Sequence, residues 1–126
     1  MNVPEELRYS KDHEWARMED AKVRIGITDY AQDALGDVVF IELPEVGVVV
    51  AADESLSEIE STKSVSDVFA PVAGTVADVN ADLADAPERL NEDPYGEGWI
   101  CVIEPTDGDA YDGLMDADAY RSLTEA

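Results

Sequence analysis

Apolar and polar positions alternate along most of this chain in short runs separated by turn-forming residues. The runs are Trp15 to Met18, Lys22 to Ile27, Asp37 to Leu43, Val46 to Ala51, Ser55 to Ser61, Val65 to Phe69, Thr75 to Val79 and Trp99 to Glu104. A period of two bounded by turn signals predicts β-strands, and this many short strands predict a small sandwich or flattened barrel. Two stretches break the pattern. Thr28-Asp29 ahead of Tyr30 to Leu35, with Gly36 behind, combines an N-cap residue, an acidic first turn and a terminating glycine, so it predicts one short helix. Asp116 ahead of Ala117 to Leu123 predicts a second, C-terminal helix, with Ala119, Tyr120 and Leu123 on one face. Asn80 to Gly98 carries prolines, glycines and many acids and predicts a long surface loop with a helical turn near Leu83 to Leu90. No Pro-, Gly- or Ser-rich linker divides the chain, so residues 1–126 are expected to form one domain.

Charge changes the picture. The 126 residues include 30 Asp or Glu against 8 Lys or Arg, a formal net charge of -22. Such a surface repels phosphate backbones and anionic headgroups, which argues against nucleic-acid and membrane partners. Disorder is the other meaning of high charge, but 45% hydrophobic residues in periodic runs supply a core. The 16 Asp and 14 Glu spread along the whole chain rather than gathering in a tail, and lysine stands only at positions 11, 22 and 63. An acidic surface of this kind repels itself unless counterions screen it, so a salt-rich, halophilic cytoplasm is the expected setting. The longest apolar run, Val46 to Ala52, is far too short to span a bilayer. The opening Met-Asn-Val-Pro-Glu-Glu lacks the basic and apolar regions of a signal peptide, and a cytoplasmic location follows as the expectation.

Candidate chemistry is sparse. Cys101 lies within the apolar run Trp99 to Ile103 and has no partner for a disulfide or a zinc site, so it reads as packing. His13 has no nucleophile or metal-ligand motif around it and reads as a partly buried residue anchoring an N-terminal strand. Among 30 acids, pairs such as Asp12 and Glu14 or Glu58 and Glu60 arise by chance. Glu58-Ile59-Glu60-Ser61-Thr62-Lys63-Ser64-Val65-Ser66-Asp67 is different: one lysine stands where two alternating strands turn, flanked by small hydroxyl residues. An uncrowded, protruding amine suits an enzyme that must acylate one lysine among few, although the segment taken alone reads as an ordinary surface lysine in a turn.

This segment is one of several that together resemble a known family, the H proteins of the glycine cleavage system. The matching stretches are Lys11 to Trp15, Gly26 to Phe40, Glu42 to Gly47, Glu60 to Asp67, Ala70 to Gly74 and Asn91 to Trp99, spanning nearly the full length in the family's order. The family's usual core is Glu-Ser-Val-Lys-Ala; here Thr62 and Ser64 replace the Val and Ala, while Glu60, Ser61 and Lys63 keep their places. After Val46-Gly47, the stretch Val48 to Glu54 lacks the glycine usual in that turn, and a local loop difference is expected there.

The resemblance implies a mainly β fold, a flattened sandwich or barrel of the lipoyl/biotinyl-carrier (hybrid-hammerhead) type with short helices, and Lys63 at a hairpin tip bearing covalent lipoate. It implies a non-catalytic carrier whose lipoyl dithiol receives an aminomethyl group from the pyridoxal-phosphate-dependent P protein, passes it to the T protein and is reoxidised by the FAD-dependent L protein. The physical logic is tethering, which raises the effective concentration of the bound group at each active site. A lipoate ligase or lipoyltransferase is implied as a further partner, with Glu60 and Ser61 as its recognition elements. For the loaded arm, a resting site needs a carboxylate beside an apolar wall, and Glu14 and Asp67 are the candidates within the matching motifs. Two other readings share Lys63: a relay that donates lipoyl groups to other apo-enzymes, and a biotin carrier. Biotin is disfavoured because its lysine usually sits between methionines, and those here are at positions 1, 18 and 115.

Overall fold

The computed structural model describes residues 2–125. In chain order the strands are β1 (Arg8–Tyr9), β2 (Glu14–Glu19), β3 (Lys22–Ile27), β4 (Val38–Glu42), β5 (Val49–Val50), β6 (Ser55–Ser61), β7 (Val65–Phe69), β8 (Gly74–Val79) and β9 (Cys101–Pro105). The helices are α1 (Asp29–Leu35), α2 (Asp82–Asp85), α3 (Arg89–Glu92) and α4 (Ala117–Glu125), with a 3-10 turn at Ala110–Gly113. Two antiparallel sheets form, one in the order β1-β2-β3-β9-β8-β5 and one in the order β4-β6-β7. Their alternating inward residues, among them Ile25, Ile41, Ile59, Val68, Val76 and Ile103, pack into a common core. This is the flattened β-sandwich with short helices that the strand pattern predicts.

A second apolar cluster lies at the open end of the larger sheet, where Tyr9, Trp15 and Tyr120 are fully buried with Val3, Leu7 and Ala117. Trp15 faces Gly26 across β2 and β3. The indole occupies that space so completely that a Cβ at residue 26 would lie 2.6 Å from Nε1, and the ring is pinned by donating to the Pro94 carbonyl at 2.8 Å. Cys101 is buried and free, as expected, and burial pushes its thiol up to about 12.

Three expectations are corrected, and one strand is unexpected. The Val46 to Ala51 run yields only the two-residue β5, because Gly47 at φ 95° turns the chain and leaves Val46 and Val49 facing solvent. Arg8–Tyr9 forms an edge strand too short to leave a periodic signal. On α4 the buried face is Ala117 and Tyr120, whereas Ala119 and Leu123 are exposed, because only that edge reaches Tyr9. Asn80 to Gly98 turns helical near Leu83 and Leu90 as expected, in α2 and α3, but it is not a surface loop, because both leucines are fully buried in the main core. Asn91 there accepts from Val38 N and donates to Gly36 O, fastening the joint between α1 and β4. After Val48 the turn is made without glycine, Asp53 taking φ 67°.

Candidate lysine hairpin and adjoining cleft

Lys63 sits at the tip of the β6–β7 hairpin, and the turn is closed by its own hydroxyls. Ser61 N donates to Ser64 O at 2.8 Å, and Ser61 Oγ accepts from the backbone N–H of Lys63 (3.2 Å) and Ser64 (3.1 Å). Serine favours such turns because its short side chain satisfies nearby backbone donors. Thr62 N reaches across to Asp37 O at 3.0 Å, tying the tip to the end of α1. Lys63 is exposed, and among the described residues it joins no ion pair. Its chain lies over Gly36: a Cβ at residue 36, where φ is 82°, would meet Lys63 Cε at 3.0 Å. Glu60, one residue before Ser61, is exposed and pairs in register with Val65 on one side and Phe40 on the other.

Directly beside the tip a cleft of about 240 Å³ opens between the free edge of β7, helix α1 and the loop before β2. Ala31, Ala34 and Leu35 of α1 and Ile59 and Val68 of the small sheet give it apolar walls. Glu14 and Asp67 both line it, with His13 and Asp12. The two carboxylates differ. Glu14 is 2% exposed; its Oε1 accepts from Ser10 Oγ at 2.5 Å and its Oε2 from Phe69 N at 3.3 Å, so it caps the unpaired edge of β7. Burial pushes its carboxyl up to about 7; the bonds from Ser10 and Phe69 oppose that rise, and the charges of Asp12 and Asp53 add to it. Asp67 is exposed, and its Oδ1 accepts from Ser55 Oγ at 3.1 Å.

The model of the family described as "Glycine cleavage H-protein" matches residues 7–126. The chain belongs to this family. The glycine cleavage system H protein of Anaeromyxobacter sp. (strain K) is 54% identical over 125 residues, covering 99% of this chain and 98% of that protein. That of Bacillus subtilis (strain 168) is 50% identical with the same coverage. The crystal structure of a glycine cleavage system H protein from Mycobacterium marinum superposes with a TM-score of 0.90 at 42% identity, covering 98% of this chain and all of that one.

Within this H-protein fold, sequence reasoning missed the residues that hold the cleft wall. Ser10 anchors Glu14 from within a tight loop, where Ser10 N donates to Glu14 O at 2.9 Å and His13 adopts φ 69°. His13 is partly buried, as expected, stacked on Tyr30 with its Nδ1 2.8 Å from Tyr120 Oη. Tyr120 Oη also lies 2.7 Å from Thr28 Oγ1, which accepts from Ala31 N as the N-cap of α1. A serine four residues before Glu14 is the one local signal; the Phe69 amide and the Tyr120 hydroxyl leave none in sequence.

Proposed function

We propose that Lys63 is the lipoyl attachment site through which this chain serves the glycine cleavage system. The observation that carries the reading is the hairpin: of the three lysines, Lys63 alone stands on a tight turn with its backbone donors satisfied by Ser61 and an apolar cleft beside it. H proteins of this family are non-catalytic carriers with lipoate covalently bound to a lysine, and they work with the P, T and L proteins and the lipoyl ligase. When bound, the lipoyl group supplies a dithiol that takes up, carries and releases the aminomethyl group. The small side chains Ser61, Thr62 and Ser64 leave the Lys63 amine accessible, and Glu60 and Ser61 are read as recognition elements for the lipoylating enzyme.

Glu14 and Asp67 form the resting site for the loaded arm. The apolar wall of Ala31, Ala34 and Leu35 excludes water from the end of the arm, while the buried Glu14 carboxylate, when ionised, pairs with a protonated amine more strongly than an exposed acid would. Asp67, at the exposed rim, adds negative charge at the mouth. The chain is read as one carrier domain acting in the cytoplasm, and among the described residues no helix is long and apolar enough to cross a membrane. The net charge of -22 supports a salt-adapted setting, for which melting temperature should rise along a KCl series; a flat series would remove that reading.

The test of the assignment is an intact mass of the protein made in its native host, beside Lys63→Arg. A mass gain of one lipoyl group in the parent and none in the variant is expected. Persistent lipoylation of Lys63→Arg would overturn it.

A further inference from the structure

Strand β4 departs from alternation at one point. Between the pairs Val38–Ser61 and Phe40–Glu60 the ladder slips by one residue, and two successive apolar side chains, Val39 and Phe40, face solvent at 54% and 50% exposure. Bulges of this kind re-aim side chains and recur next to functional sites. In register with Phe40 lie Glu60 on β6 and Val65 on β7, and Val65 is 59% exposed. This row adjoins the Lys63 turn. The row below it holds Glu42, Glu58 and Asp67 on the same three strands. Like charges directly opposed across strands repel, and among the described residues none of these acids joins an ion pair. An apolar strip beside the lysine is thus backed by acids that form no ion pair among the described residues, Asp67 accepting from Ser55 Oγ.

We infer that the outer face of β4, β6 and β7 is the docking surface for the enzyme that attaches the lipoyl group, a partner that seats Val39, Phe40 and Val65 in an apolar recess rimmed by Arg or Lys opposite Glu42, Glu58 and Glu60. The inference rests on the Lys63 assignment above. Charge complementarity selects a basic rim, and reach selects the partner. Enzymes that use the loaded carrier meet their group at the end of a long arm, so their catalytic centres need not touch this sheet. The attaching enzyme works at Nζ itself. There an amide bond forms to the lipoyl carboxyl carbon as that carbon's bond to its activating group breaks; the leaving group departs with the electron pair, and the nitrogen gives up a proton. A centre enclosing Nζ must cover the turn and the row next to it.

The experiment compares the unmodified full-length chain with Val39→Ser/Phe40→Ser as substrates of a lipoate ligase from the same organism, with ATP and lipoate. The KM for the carrier should rise roughly 10-fold with kcat nearly unchanged, as expected when apolar anchors leave an interface. Both side chains are half exposed, so the melting temperature should hold. Glu42→Gln/Glu58→Gln should raise KM roughly 3-fold and flatten its dependence on KCl, the signature of a lost charge contact. Each variant, once driven to full lipoylation, should accept the aminomethyl group from P protein and glycine at the parental rate. Parental KM in both variants overturns the inference, and so does an equal loss in the P-protein reaction. Lipoylation that survives Lys63→Arg strikes the attachment site instead, so the two failures are separable.

Discussion

The Lys63 hairpin and the Glu14 wall border the same cleft but are held by different means. Every bond that closes the hairpin lies within Ser61–Ser64, apart from the Thr62 link to Asp37. Glu14 depends on Ser10 from its own loop and on Phe69 from the opposite sheet, while its neighbour His13 meets Tyr120 of the last helix. The hairpin is exposed and autonomous; the wall is buried and assembled from distant parts of the chain. A presenting site needs access and local order, whereas a protecting site needs desolvation, and only tertiary packing desolvates. Perturbations should therefore be mild and local at the hairpin but large and far-reaching at the wall.

Glu14 gives the largest expected effect. Its carboxyl titrates near 7 in the folded protein against a usual 4.5. The folded state thus holds this proton more tightly than the unfolded chain, and the stability so gained is complete below pH 4.5 and is lost as pH rises through about 7. Relative to Glu14→Gln, the parent should lose up to about 3 kcal/mol across that window, read by denaturant unfolding at a series of pH values. A parallel pH dependence in the two proteins would contradict the burial argument. In the loaded carrier without T protein, Glu14→Ala or Asp67→Ala should release ammonia faster than the parent at unchanged fold. Parental rates in both variants would show that neither carboxylate guards the arm.

Gly26→Ala tests how rigidly the same wall is backed. The added Cβ would fall 2.6–2.8 Å from the Trp15 indole, which is held at Pro94 and follows Glu14 directly. Overpacking should cost about 2–3 kcal/mol in unfolding free energy, and the shifted indole should change the tryptophan fluorescence of the folded state. Tyr120→Phe is gentler: it removes the hydroxyl between His13 and Thr28 and should cost about 1–2 kcal/mol. Ammonia loss from the loaded carrier should quicken as well, because α1 and the His13 loop share that hydroxyl. The smallest effect belongs to the hairpin. Ser61→Ala leaves two exposed backbone N–H groups to water, so melting should register only about 0.5–1 kcal/mol, with slower lipoylation as the main readout. A Ser61→Ala destabilisation as large as that of Gly26→Ala would collapse the contrast between the two regions.

Much of this contrast follows from what can be read along the chain. The strands, the Thr28-capped helix ending at Gly36 and the Ser-Thr-Lys-Ser turn are local patterns, and a local pattern needs no knowledge of what lies across the fold. The position of Lys63 on a hairpin turn was legible for that reason, whereas the carrier reading came from the resemblance of several motifs, in order along the chain, to one family. Tertiary structure alone decided the rest. Leu83 and Leu90 sit among prolines and acids that look like a loop, yet both are fully buried because the core beneath α2 and α3 needs filling. Tyr120, rather than Leu123, faces inward because Tyr9 stacks on it at 4.6 Å, a contact across 111 residues of chain. Glu14 is one of 30 acids in sequence. It becomes singular only where folding removes its water and leaves Ser10 and the Phe69 amide to hold it.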